Sequence, residues 1–204
     1  MTRRKILGYF TIEGAPGGNQ DWLPEWDMNM GGCAAVTACD TCIFLSHRDE
    51  YRQLYPFNPE RLSRNDFVRF ASFMKPYLSP RYHGIDFLET YICGLYDYMA
   101  GVGTNSLTLE GISGSVGYDL FAEAVTDQID RNIPVPFLLL NHRDKRLDDF
   151  EWHWFNLAGY EELDGDVNVL TVTYGEYQWF SLRLLHATGY DRKGGMIRII
   201  ERPL

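Results

Sequence analysis

The longest apolar stretch of the chain runs from Cys33 to Leu45. Ala34, Ala35, Val36, Ala38, Cys39, Cys42, Ile43, Phe44 and Leu45 occupy nearly every face of the helix predicted over 33–47. A helix apolar all round belongs in the middle of a domain, covered on several sides. Amphipathic spacing then predicts three more helices. Phe67, Phe70, Ala71, Met74 and Leu78 follow Ser63-Arg64-Asn65-Asp66, which has capping-box spacing with Asp in the Glu position, and Pro80 closes the segment. Phe87, Leu88, Ile92, Leu95 and Tyr96 mark a helix over 85–100, and Leu120, Phe121, Ala124, Val125 and Ile129 mark another that Asn132 and Pro134 end.

Beyond Pro134 the period becomes two. Strands are predicted over 135–140, 152–160, 167–174, 177–185 and 196–201, joined by a charged loop over 141–150, a turn over 161–166 that includes Asp164-Gly165, and a turn at Gly175-Glu176. Residues 4–13 read as a first strand, 107–109 as a short one, and Gly14 to Gln20 as loop; Gln20 to Trp26 continues through non-helical chain towards Cys33. Helices first and hairpin-connected strands second predict an α+β fold, a single domain over 1–204 with a helical N-terminal part and the Cys33 helix packed on a C-terminal antiparallel sheet.

Composition narrows the function. Hydrophobic residues make up 45% of the 204 and charged residues 23%, the balance of an ordinary globular domain. The formal charge of −9 is spread along the chain, and the basic clusters are limited to Arg3-Arg4-Lys5 and Arg192-Lys193, so a phosphate backbone finds no basic surface and no nucleic-acid partner is expected. No apolar run has a membrane-spanning length, which argues against membrane insertion, and the N-terminus turns polar too soon for a signal peptide, so a cytoplasmic protein is expected. Cys39 and Cys42 have CxxC spacing, but they fall inside the predicted helix with no second close ligand pair; burial is expected rather than redox or zinc chemistry, and no cofactor is implied.

The candidate chemistry centres on Cys33. At a helix start, backbone N–H groups and the positive end of the helix dipole favour thiolate over thiol, and Gly31-Gly32 allows a sharp turn and close backbone approach. A thiol nucleophile needs a positioned base, and His153 opens a strand after a long polar loop. Alternation sends Trp152 and Trp154 to one face and His153 with Phe155 to the other.

Gly31-Gly32-Cys33-Ala34-Ala35 at a central helix, followed by helices and then by Trp152-His153-Trp154 through Gly159-Tyr160 on a sheet hairpin, resembles the papain-like cysteine peptidase superfamily, and within it the branch that cleaves bacteriocin leaders after a double glycine. The resemblance is one of order and spacing over about residues 18 to 185, and the helices between roughly 50 and 115 have no counterpart in it. It implies that Cys33 attacks a carbonyl and that His153 acts as base and then acid. Where the superfamily has an Asn or Asp to orient the His, this chain has Thr173, followed by Tyr174-Gly175 in place of the aromatic-Gly pair. A threonine hydroxyl fixes the tautomer but brings no negative charge. For the oxyanion donor the position nearest the family's glutamine holds Asp27, which has no proton to give, so Gln20 is the expected donor and Asn29 the closer second choice. A peptide or small amide is the implied substrate, with Trp22, Trp26, Trp152 and Trp154 as walls of a cleft. The alternative is a non-catalytic binding module of the same fold, which the missing Asn or Asp favours.

Overall fold

In the computed structural model, which describes residues 3–81, 84–163 and 165–202, the sheet-forming half of the chain organises everything else. Strands β4 (Leu107–Ser113), β5 (Val135–Leu139), β6 (His153–Leu163), β7 (Asp166–Thr173), β8 (Glu176–Ser181) and β9 (Gly194–Glu201) lie in the order β4-β9-β5-β6-β7-β8, every neighbouring pair antiparallel. A short β1 (Arg4–Ile6) pairs with the far end of β6, opposite Gly159 to Glu161, beyond the stretch that β5 covers. The fold is α+β with a large antiparallel sheet.

Alternation along β6 gives the sheet two cores. Trp154 and Ala158 belong to the core shared with α2 (Cys33–Ser46), α3 (Arg64–Met74) and α4 (Leu88–Gly101). Phe155 and Leu157 belong to the core beneath α5 (Tyr118–Asp130) and α6 (Leu182–His186). Helix α2 is buried along its whole length except at Phe44, as its all-round apolar sequence requires. Two of its hydroxyls are satisfied within the helix: the Thr41 hydroxyl donates to the Thr37 carbonyl at 2.9 Å and the Ser46 hydroxyl to the Ile43 carbonyl at 2.7 Å. The N-cap half of the capping box before α3 forms, with Ser63 Oγ accepting the Asp66 N–H at 3.1 Å, while the Asp66 carboxylate takes the Ser63 hydroxyl at 2.9 Å.

The structure departs from the sequence expectations in several places, including the turn expected over 161–166, which β6 and β7 enter from both sides, and the loop expected over 141–150, which holds a 3-10 turn at Lys145–Phe150. Residues 20–26 and beyond are not free of helix: Gln20–Trp22 is a single 3-10 turn and Trp26–Gly31 forms α1, whose Glu25 and Asp27 both pair with Lys75 after α3. The predicted strand over 4–13 splits in two: β1 keeps its start, Leu7, Tyr9 and Phe10 are buried without strict alternation, and its end becomes β2 (Thr11–Ile12), which forms a small hairpin with β3 (Ala15–Pro16). Strand β4 runs on to Ser113 because β9 pairs it throughout, and Gly111 is needed there because a Cβ would press on Leu88 and Ile92 at 3.3 Å. The strand expected over 177–185 ends at Ser181, which caps α6 by accepting the Leu184 N–H at 3.2 Å. Asp164, assigned to a turn, lies outside the described residues. Among the described residues no helix is long and apolar enough to cross a membrane.

Candidate active site

Helix α1 runs almost directly into α2. The Gly32 N–H closes α1 on the Met28 carbonyl at 2.9 Å, and the Gly32 carbonyl accepts the Val36 N–H at 2.9 Å, opening α2. Gly32 has φ −80°, so its lack of a side chain serves close approach rather than a left-handed turn: a Cβ would collide with the Met28 carbonyl. The backbone that comes near is therefore that of α1. Cys33 then stands at the first position of α2, 6% exposed.

Strand β6 brings the second group. The loop from Asn141 to Glu151 is pinned by buried Leu147 and Phe150, by the Glu151 carboxylate accepting the His142 N–H, and by Trp152 Nε1 donating to Asn141 Oδ1 at 3.0 Å. Trp152 turns the chain at φ +53°, and His153 begins β6, 5% exposed. Its ring stacks on Phe155, on the face that alternation assigns it. His153 Nε2 meets the Thr173 hydroxyl at 2.7 Å, so Thr173, the last residue of β7, sits where an orienting partner has to be.

Tyr174 follows at φ +51° and lays its ring on the imidazole, centroids 4.7 Å apart and planes within 3°. Its hydroxyl is 3.5 Å from Nδ1. Because the rings are parallel, that oxygen lies above the imidazole plane and not in it, and the in-plane lone pair of Nδ1 stays open.

Cys33, His153, Tyr174 and Gln20 line one cleft of about 650 Å³. Trp26, Met30 and Trp152, all exposed, form its apolar rim. The backbone N–H groups of Trp154, at the start of β6, and of Ala34 and Cys33, at the start of α2, are near enough to the sulfur to favour its thiolate form. In this resting geometry the imidazole bonds to Thr173 and not to the sulfur. Burial pushes the Cys33 thiol up, and the three N–H groups offset only part of that. Burial also pulls His153 down to about 4. Desolvation thus outweighs the helix terminus, and at neutral pH the pair rests as thiol and neutral imidazole.

Other expected residues sort themselves around the cleft. Gln20 lies at its wall with Oε1 buried and, among the described residues, without a hydrogen-bond partner. Asn29 commits its amide hydrogens to the Gln20 and Leu23 carbonyls, both at 3.4 Å, and so braces the Gln20 turn instead of facing the sulfur. Asp27 lines the cleft but pairs with Lys75, which holds its carboxylate low. Trp26 and Trp152 are walls as expected; Trp22 packs edge-on against Phe67, and Trp154 is a core residue stacked on Tyr91 with Nε1 donating to the Ile85 carbonyl at 2.6 Å. Cys39 and Cys42 are buried, and Cys93 is exposed. Among the described residues no group of three or more His, Cys, Asp or Glu could hold a metal ion.

Sequence reasoning passed over Met30, whose exposed side chain extends the apolar rim, and Asp40, the lone charge inside an otherwise apolar helix, which was itself the available signal. Searches against protein-family models, curated proteins and solved structures found no match to this chain.

Proposed function

We propose that this chain is a papain-like thiol hydrolase acting on a peptide or other amide. The observation that carries the reading is the shared cleft: a helix-start cysteine whose sulfur lies near the Trp154 backbone N–H at the start of β6, and a histidine on that strand whose Nε2 is held by a hydroxyl at 2.7 Å. With Nε2–H donating to Thr173, the base is Nδ1. As Cys33 Sγ attacks the carbonyl carbon, its proton passes to Nδ1, the carbonyl π pair moves onto oxygen, and the tetrahedral oxyanion receives the Cys33 backbone N–H and the Gln20 amide. Collapse expels the amine, which takes the proton from Nδ1. Water then hydrolyses the thioester with His153 again as base and acid. The neutral resting pair makes proton transfer concerted with attack rather than complete before it.

The exposed Cys93 is a built-in control for a test with iodoacetamide near neutral pH, read by mass spectrometry. Cys33 is expected to alkylate faster than Cys93 despite its burial, and to lose that advantage in His153→Ala. Labelling of Cys93 alone would overturn the reading. It would favour instead a binding module, for which the uncharged pair and the tyrosine covering the imidazole speak.

A further inference from the structure

Two turns beyond Cys33 on α2 stands Asp40, 3% exposed in a helix that is otherwise apolar or hydroxyl-bearing. A buried carboxyl with no cation beside it is costly to keep, and such groups concentrate where function needs them. Both Asp40 oxygens face the Gly18 N–H, at 2.9 and 3.1 Å, and the Tyr9 hydroxyl lies 3.5 Å from Oδ2. Tyr9 is itself fixed, because Asn156 Nδ2 donates to its hydroxyl and to the Thr37 carbonyl, each at 3.1 Å.

The turn that Asp40 grips has no slack. Gly17 adopts φ +66°, and a Cβ there would collide with the Asp40 carboxyl and press on Val172 at 3.1 Å; a Cβ on Gly18 would enter the Phe67 ring. Gly17 and Gly18 are thus clamped between α2, α3 and β7. The next residue faces the site in two directions. Asn19 Oδ1 accepts the Asp21 N–H at 2.8 Å, opening the turn that carries Gln20, and Asn19 Nδ2 donates to the Tyr174 carbonyl at 3.1 Å.

We propose that Asp40 is a positioning residue for the Cys33 site. Anchored on the helix that carries the nucleophile, it fixes the Gly17-Gly18 turn and, through Asn19, sets Gln20 and Tyr174 against the sulfur and the imidazole. This role rests on the thiol-hydrolase reading above. Burial, which pushes the carboxyl up to about 8, fits it: a neutral acid still accepts the Gly18 N–H that holds the turn.

Two probes separate oxyanion placement from sulfur reactivity. Iodoacetamide is displaced at saturated carbon and needs no oxyanion donor. N-acetyl-phenylalanyl-glycinal adds the Cys33 sulfur at its aldehyde carbon while the thiol proton ends on the former carbonyl oxygen, the atom that Gln20 would hold. In Asp40→Ala the aldehyde is expected to bind roughly tenfold or more weakly while Cys33 alkylation stays within about twofold of wild type. Asp40→Asn, which keeps an acceptor for the Gly18 N–H, is expected to restore binding, and Asp40→Ala is expected to add nothing in a Gln20→Ala background. Hydrogen exchange supplies a readout independent of chemistry: peptides covering 17–23 and 172–176 are expected to exchange faster in Asp40→Ala than in wild type. Unchanged exchange, unchanged aldehyde affinity, or equal loss with both probes would overturn the assignment. If exchange changes but wild-type Cys33 alkylates no faster than Cys93, the hydrolase reading has failed and the positioning role falls with it.

Discussion

Replacing Asp40 by Asn should change the pH dependence of stability in a way no other group can imitate. Burial raises this carboxyl from 3.8 to about 8, against which the Gly18 N–H and the Tyr9 hydroxyl act only weakly. The groups that feel its charge are Tyr9, Cys39, Tyr91 and Tyr177, none of them a cation. The folded chain therefore holds a proton on Asp40 that the unfolded chain releases above its ordinary pKa. A raised carboxyl contributes stability that is complete below the unfolded pKa and drains away as pH rises through the folded one. Between the two pKa values the slope is about 1.4 kcal/mol per pH unit, so about 4 kcal/mol is lost from pH 4 to pH 7. Asn cannot ionise and loses nothing. Urea unfolding of wild type and Asp40→Asn at about pH 5, about pH 6 and about pH 7.5 isolates this one group, because every other titration cancels in the difference. The variant is expected to gain on wild type by about 1 kcal/mol or more for each pH unit across that range. A stability difference that stays flat with pH would refute a protonated, buried Asp40.

Other outcomes follow from the same geometry. Gly32→Ala puts a methyl group into the Met28 carbonyl, backbone that cannot yield, and should cost about 1–3 kcal/mol in urea unfolding; a cost under about 0.5 kcal/mol would mean that α1 and α2 can separate freely. Thr173→Val keeps the shape of the side chain but leaves Nε2 without its hydroxyl partner, so Cys33 alkylation should fall by about tenfold and stability by about 1–3 kcal/mol; an unchanged alkylation rate would remove Thr173 from the site. His153 is held down at about 4, so the unfolded chain takes up its proton first as pH falls. Wild type should lose up to about 3 kcal/mol relative to His153→Ala as pH drops from about 6.5 to about 4, with no relative change above that window.

What could be read from the sequence was whatever local pattern alone decides. An apolar stripe on every face dictates α2, a short continuous apolar run marks β5, and the alternation of side chains along a strand sets the facing of Trp154 against His153 and Phe155. Ser63 and Asp66 announce α3 because a capping bond is local. The misreadings fall where a distant partner decides. Helix α1 is six residues long, with no side-chain cap at Glu25 and a Pro-Glu lead-in that reads as loop; Lys75, from the far side of α3, pairs with Glu25 and Asp27. The short strand expected over 107–109 extends through Gly111 because β9 pairs β4 on both sides of it.

The site divides along the same line. Cys33 and His153 could be singled out because each occupies an element boundary, a helix start and a strand start, and such boundaries are set by local chemistry, whereas Thr173 is reached only through the family resemblance. Their electrostatics were not, because a helix terminus is a local feature whereas desolvation is a sum over everything packed around a group. The terminus alone would lower the Cys33 thiol, yet burial beneath the start of β6 raises it and lowers His153. Asp40 is the same lesson in reverse. A single carboxyl in an apolar helix looks like an error of patterning until the fold brings Gly18 and Tyr9 to it, and the glycine pair that seemed only to loosen a loop becomes the part most tightly gripped. The local rule is broken at the residue that ties the Cys33 helix to the turn carrying Gln20, and on the proposed hydrolase reading that is where such a break is expected.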